Sequence, residues 1–140
     1  MSRIFWDTNL FIYLFEDYGD FSKATAHLRS NMLKRGDQLL TSTLTLGEIL
    51  VKPIERGDAD RRNSYEHAIS AAAVVIPFDI EAAKIYAEIR SAKSIKAPDA
   101  IQLACAASAT VDLFVTNDER LQGKQVSGIQ FIVALDRVPL

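Results

Sequence analysis

The chain has 140 residues, 49% hydrophobic and 24% charged, with a formal net charge of −2 and an isoelectric point near 5.7. That length suits one domain, residues 1–140, large enough to bury roughly two-thirds of its unfolded surface without cross-links. A lone Cys105 excludes an intramolecular disulfide framework and a cysteine-based zinc site, no apolar run reaches the roughly 20 residues of a membrane span, and the N-terminus has no signal-peptide pattern. A reducing, cytoplasmic setting without a membrane fits these features. Nothing global advertises a nucleic-acid binder, so any such binding has to come from a local patch or from metal ions.

In chain order, Ile4-Phe5-Trp6 reads as a short buried strand stopped by Asp7. Leu10 to Phe15 is a short helix broken near Tyr18-Gly19-Asp20. Ser22 then caps a helix to about Lys34, with Ala26, Leu28, Met32 and Leu33 as apolar positions and Gly36 at its C-terminal end. Gln38 to Thr41 is a second strand. Ser42 and Thr43 lead into a helix carrying Leu44, Leu46, Glu48, Ile49, Leu50 and Val51, limited by Pro53. After a Gly57-Asp58 turn, a helix from Ala59 to about Ala73 shows a solvated face of Asp60, Arg61, Arg62 and Glu66.

Val74 to Ile76 is a third strand. Asp79 caps a helix from Ile80 to about Ala92, with Ala83, Ile85, Tyr86 and Ile89 as its buried stripe. Pro98 suits the first turn of an almost wholly apolar helix to about Ser108. Leu113 to Thr116 is a fourth strand, a loop lies between Gly123 and Gly128, and Ile129 to Val133 is a fifth strand. Short apolar strands alternating with helices predict an α/β domain with a mainly parallel central sheet.

Four acids each interrupt or terminate an apolar segment: Asp7, Glu48, Asp99 and Asp118. Right-handed crossovers put the C-terminal ends of parallel strands on one edge, so Asp7 and Asp118 share a crevice if their strands are neighbours. Asp99 and Glu48 can close in from helices. Asn9 and Thr116, with Asn117, offer neutral oxygens nearby. Two unit charges about 4 Å apart repel by roughly 4 kcal/mol at an effective dielectric near 20, so such a cluster calls for cations or for protonation of some acids. An all-oxygen donor set suits Mg²⁺ or Mn²⁺, which serve phosphodiester hydrolysis by activating a water and stabilising the leaving oxygen.

Each acid also has a bland reading. Asp7 can cap the following helix, Asp99 beside Pro98 is an ordinary helix-start residue, Asp118 suits a turn, and Glu48 can sit at a partly exposed helix edge. Lys52, Arg90, Lys93, Lys96, Arg120 and Lys124 lie near the acidic motifs and are candidates for phosphate contacts, most of them ordinary surface charges. His27 and His67 lack ligand-spaced partners, and Cys105 reads as a small buried hydrophobe. The glycines form no phosphate-cradling loop. A phosphatase with an aspartate nucleophile would want a second acid two residues after Asp7, where Asn9 stands.

The ordered set Ile4-Phe5-Trp6-Asp7-Thr8-Asn9, Thr43-Leu44-Thr45-Leu46-Gly47-Glu48, Ala97-Pro98-Asp99-Ala100-Ile101-Gln102-Leu103-Ala104 and Phe114-Val115-Thr116-Asn117-Asp118 resembles a PIN-domain protein, specifically a VapC-type toxin of a toxin–antitoxin pair. The resemblance spans essentially the whole chain. It implies a PIN-like α/β/α sandwich, Mg²⁺- or Mn²⁺-dependent cleavage of RNA, homodimerisation and inhibition by a cognate antitoxin. By position it implies that Asp7, Glu48, Asp99 and Asp118 form the catalytic metal site, with Asp7 and Asp99 holding the principal ion, and that Asn9 and Thr116 support it. The alternative is a non-catalytic PIN-like binding or regulatory module.

Overall fold

The computed structural model describes residues 1–92 and 94–140; Lys93, one of the candidates for phosphate contacts, lies outside the described residues. The elements are β1 (Arg3–Trp6), α1 (Thr8–Phe15), α2 (Asp20–Arg35), β2 (Gln38–Ser42), α3 (Thr43–Glu55), α4 (Ala59–Ala72), β3 (Val74–Ile76), α5 (Ile80–Ala92), α6 (Ala97–Ala109), β4 (Val111–Val115) and β5 (Ile129–Val133). The strands form one sheet in the order β3-β2-β1-β4-β5, and every pairing is parallel. The expected α/β/α sandwich is therefore observed, with a sheet that is wholly rather than mainly parallel.

Alternation along β1 explains the layers. Successive strand side chains point to opposite faces, so Phe5 packs with Leu40, Phe114 and the apolar faces of α5 and α6, while Ile4 and Trp6 pack with α1, α2, α3 and α4. Phe5 and Phe114 stack across β1 and β4 with ring centroids 5.1 Å apart. Buried on both faces, β1 reads as a continuous apolar run, as expected for a central parallel strand. It also has β2 and β4 as direct neighbours, so the residues just after β1 and β4 emerge side by side at one edge.

Several local expectations shift. Helix α2 begins at Asp20 with Gly19 as its cap; the Ser22 hydroxyl instead donates to the carbonyl of Glu16 and accepts from the Tyr18 N–H, tying the α1–α2 connection together. On α2, Leu28 and Met32 are buried, whereas Leu33 and Ala26 face solvent because the helix meets the sheet through Thr25, Leu28 and Met32. Pro53 lies inside α3, buried, and the helix runs on to Glu55. On α5 the buried alanine is Ala82, with Ala83 exposed. Asp79 caps α5 as expected, its carboxylate accepting from the Ala82 N–H at 3.0 Å.

The loop before β5 closes against α6. Gly128 has φ +98°, and a Cβ there would stand 2.6 Å from the carbonyl oxygen of Ala107. Gly47, in contrast, has an ordinary helical conformation and open space around it. Gly128→Ala is therefore expected to cost about 2 kcal/mol or more and to lower the melting temperature by roughly 5 °C. Gly47→Ala should leave it unchanged or raise it by about 2 °C. Thermal denaturation of the two variants measures this contrast.

Candidate active site

The carbonyl-terminal edge of β1 and β4 carries a polar cluster built on Asp7. Asp7 follows β1 directly, and its N–H donates to the Val115 carbonyl at 3.0 Å, which extends the β1–β4 pairing one step beyond the strand. Its Oδ2 accepts from the Thr116 hydroxyl at 2.7 Å, and its Oδ1 accepts from the Thr8 N–H at 2.9 Å. The second contact caps α1, so the capping role and the site role fall on one carboxylate. The Thr116 hydroxyl in turn accepts from the Asp118 N–H at 3.0 Å, which fixes the turn carrying Asp118 beside Asp7.

Glu48 enters from α3. It is exposed, at the helix edge, yet it faces the cluster: its Oε1 accepts from the Thr8 hydroxyl at 2.7 Å. Asp99 comes from the first turn of α6, where Pro98 occupies the first helical positions, and it makes no capping bond. Arg120 links Asp99 to Asp118, at 3.8 Å and 2.7 Å respectively. All four acids thus meet at one edge, Asp7 innermost and the others around its rim.

A buried amide holds the inner side together. Gln102, on α6, has its Nε2 3.3 Å from Asp7 Oδ1, 3.0 Å from Thr8 Oγ1 and 2.7 Å from Thr45 Oγ1, while its Oε1 accepts from the Ser42 hydroxyl. Thr45 and Thr8 hydroxyls are 3.1 Å apart. With Thr8 donating to Glu48, the chain of donors runs from Ser42 and Gln102 outward to the two carboxylates. Local sequence patterning does not single out Gln102, Thr8, Thr45 or Ser42 as site residues. The signal was present for Gln102: a long polar side chain amid Ala100, Ile101, Leu103, Ala104 and Cys105, the same anomaly that marked Glu48.

The electrostatics differ from acid to acid. Burial raises the Asp7 carboxyl to about 6; the Thr116 and Thr8 hydrogen bonds lower it, and the charges of Asp99 and Glu48 add to the rise. Asp99 is raised as well, by burial first and then by Asp118. Asp118 is lowered, chiefly by its hydrogen bond from Arg120. Desolvation thus outweighs good hydrogen bonding at Asp7, which leaves a carboxylate in need of positive charge.

The donor set suits a hard divalent cation. All candidate donors are oxygens, Asp7 and Asp99 both carry under-compensated charge, and Asn9 Oδ1 is buried without a hydrogen-bond partner. As they stand, the acids are splayed: among the described residues, no three His, Cys, Asp or Glu side chains are drawn closely enough to cage an ion. Of the other expected contributors, Arg90 is turned to the Ile95 carbonyl at 3.2 Å, and Lys124 lines a separate cavity with Val126 and Phe131. Asn117 donates to the Tyr13 hydroxyl at 3.3 Å, beside the cluster. His27 and His67 are exposed on helices, and Cys105 is buried with its thiol pushed up to about 11.

The raised Asp7 carboxyl has a consequence for stability. Its pKa is higher folded than unfolded, so its contribution is fully present below about pH 4 and is lost as pH rises through about 6. Above that range the metal-free fold bears on the order of 3 kcal/mol for keeping Asp7 charged. Asp7→Asn, measured without divalent ions, is expected to melt roughly 5 °C or more above the unmodified protein at pH 8. The two curves should converge below pH 4, and equal melting temperatures at both pH values would contradict this account.

The family model for the PIN domain matches residues 4–125, which includes all four acids. No curated protein matches by sequence. Among solved structures, the fold is similar to a chain of the VapBC2 complex of Rickettsia felis bound to a promoter DNA fragment, with TM-score 0.74, 15% identity, and coverage of 94% of this chain and 98% of that one. It is similar to a chain of the DNA-bound VapBC complex of Salmonella typhimurium, with TM-score 0.71, 20% identity, and coverage of 96% and 99%. A chain of a toxin–antitoxin complex from Klebsiella pneumoniae gives TM-score 0.67, 20% identity, and coverage of 93% and 99%. The match of the family model across most of the chain, on a wholly parallel sheet of matching architecture, establishes that this protein belongs to the PIN-domain family.

Proposed function

We propose that this chain is a Mg²⁺-dependent endoribonuclease, with Mn²⁺ able to substitute, acting as the toxin of a type II toxin–antitoxin pair. The observation that carries the reading is the meeting of Asp7, Glu48, Asp99 and Asp118 at one sheet edge, with Asp7 raised by desolvation and by Asp99 and Glu48, and Asp99 raised by desolvation and by Asp118 and Glu48. Asp7 and Asp99 are the residues to hold the ion, with Glu48 and Asp118 completing its surroundings and Asn9 and Thr116 in support. A bound divalent ion supplies Lewis-acid activation of water and neutralises charge developing on the phosphate.

The chain's own residues do the rest. Thr116 and the Thr8 N–H hold Asp7 in one orientation, and Gln102 fixes Thr8 and Thr45 so that Glu48 is presented to the same centre. Lys96 and Arg120 lie close enough to shift the acids electrostatically and can meet the phosphates of an approaching strand. Residues 1–140 act as one domain in this reading, in the cytoplasm; among the described residues no helix is long and apolar enough to cross a membrane.

Inhibition by a cognate antitoxin has a candidate seat. An apolar groove of about 300 Å³, lined by Ile12, Phe15, Ile49, Val51, Pro53 and Tyr65, opens between α1, α3 and α4 with Glu48 on its wall. The similar chain from Klebsiella pneumoniae comes from a toxin–antitoxin complex, which supports a partner of that kind for this chain. Pairing of two copies into a homodimer belongs to the same reading.

Two experiments test these points. Purified protein should cleave mixed cellular RNA with Mg²⁺ or Mn²⁺ and not with EDTA. Asp7→Asn and Asp99→Asn should each reduce cleavage by about a hundredfold or more while staying folded. RNA binding without cleavage, indifferent to chelation, would support the non-catalytic module instead. The product of an adjacent upstream reading frame is expected to co-purify with the protein, and Val51→Asp, on the half-exposed rim of the groove, should abolish that without lowering the melting temperature.

A further inference from the structure

Arg120 lies across the outer side of the acidic centre. Its Nε donates to Asp118 Oδ1 at 3.0 Å, its Nη2 donates to Asp118 Oδ2 at 2.7 Å, and the same Nη2 is 3.8 Å from Asp99 Oδ2. Its own N–H also donates to Asp118 Oδ1 at 3.0 Å, so the turn that carries Asp118 places the arginine on top of it. The side chain is 60% exposed, so charge and geometry rather than packing hold it there. Among the described residues it forms the only ion pairs made to any of the four acids.

The fork takes both oxygens of Asp118, the atoms a divalent cation would need from that residue. It also reaches toward Asp99, whose charge is under-compensated by the rest of the fold. A guanidinium so placed and a divalent cation repel each other and compete for the same lone pairs. We infer that Arg120 is a resident counter-cation of the metal-free protein, which a divalent ion must displace from Asp118 and Asp99 to bind. This rests on the metal-site reading above and adds the order of events: the arginine leaves, the acids close in, and the freed guanidinium is left beside the site, where a phosphate oxygen is its natural next partner. Because exposed ion pairs are weak, the displacement is easy, and the competition amounts to a few-fold in metal affinity.

The test is a calorimetric Mn²⁺ titration of the full chain, comparing the unmodified protein with Arg120→Lys, Arg120→Gln, Asp7→Asn and Arg137→Gln. Arg120→Lys keeps the charge and loses the fork, while Arg137→Gln removes an exposed positive charge that is not paired to the acids. Both Arg120 variants are expected to bind Mn²⁺ about two- to fivefold more tightly, with Arg137→Gln unchanged and Asp7→Asn weakened. In parallel, the Arg120 Nε–H resonance should move on Mg²⁺ addition to the unmodified protein. Arg120→Lys binding like the unmodified protein, or a resonance indifferent to saturating Mg²⁺, would overturn the inference while leaving the metal site intact. No Mn²⁺ binding by any of the proteins would overturn both.

Discussion

A negative charge buried at the end of the central strand is the constraint from which the site follows. Asp7 comes directly after three fully buried residues of β1, in the middle of a sheet covered on both faces. Water is largely excluded from its carboxylate, and that desolvation dominates even though three protein groups donate to it. A fold that keeps a charge in such a place has three means of relieving it: protonation, hydrogen bonds and an opposing cation. Hydrogen bonds are already supplied by Thr8, Thr116 and Gln102. What remains is protonation at low pH or a cation at neutral pH.

The parallel topology makes this constraint productive. Because β1 lies between β2 and β4, the segments leaving β1, β2 and β4 emerge at the same edge, carrying Asp7, Ser42 and Thr116. Helices α3 and α6 start from that edge and deliver Thr45, Glu48, Asp99 and Gln102 to it. The same residues serve local structure: Asp7 caps α1, Ser42 caps α3, and Asp118 closes a turn around Arg120. Capping and site-building are therefore one set of contacts, and the bland readings of Asp7 and Asp118 describe roles they perform in addition to facing the centre.

Gln102 shows how the inner layer is made specific. A carboxylate at that point would add a charge beside Asp7, and an apolar residue would leave the Ser42 hydroxyl without its acceptor and take one donor each from Thr45, Thr8 and Asp7. A neutral amide both accepts and donates, so it joins Ser42 on one side to Thr45, Thr8 and Asp7 on the other. Outside this layer Glu48 is held by the Thr8 hydroxyl and Asp118 by the hydrogen bonds of Arg120, which also reaches toward Asp99.

Residue order alone carries the strand–helix alternation, every strand position to within a residue or two, and the four acids that break apolar segments. Those features depend on local patterning, which a reading of successive residues captures. It placed the start of α2 at Ser22 and the end of α3 at Pro53, because Ser22 resembles a cap and proline resembles a stop. Only the packed chain shows Ser22 tying a loop and Pro53 buried within the helix. It also could not weigh the acids against one another. That Asp7 is raised depends on which groups lie nearby in space, and those come from the end of β4, from α3 and from α6, as many as 109 residues away along the chain, whereas Asp118 is lowered chiefly by Arg120 from its own turn. Local sequence chose the functional atoms; tertiary structure set their burial, their partners and hence their charge.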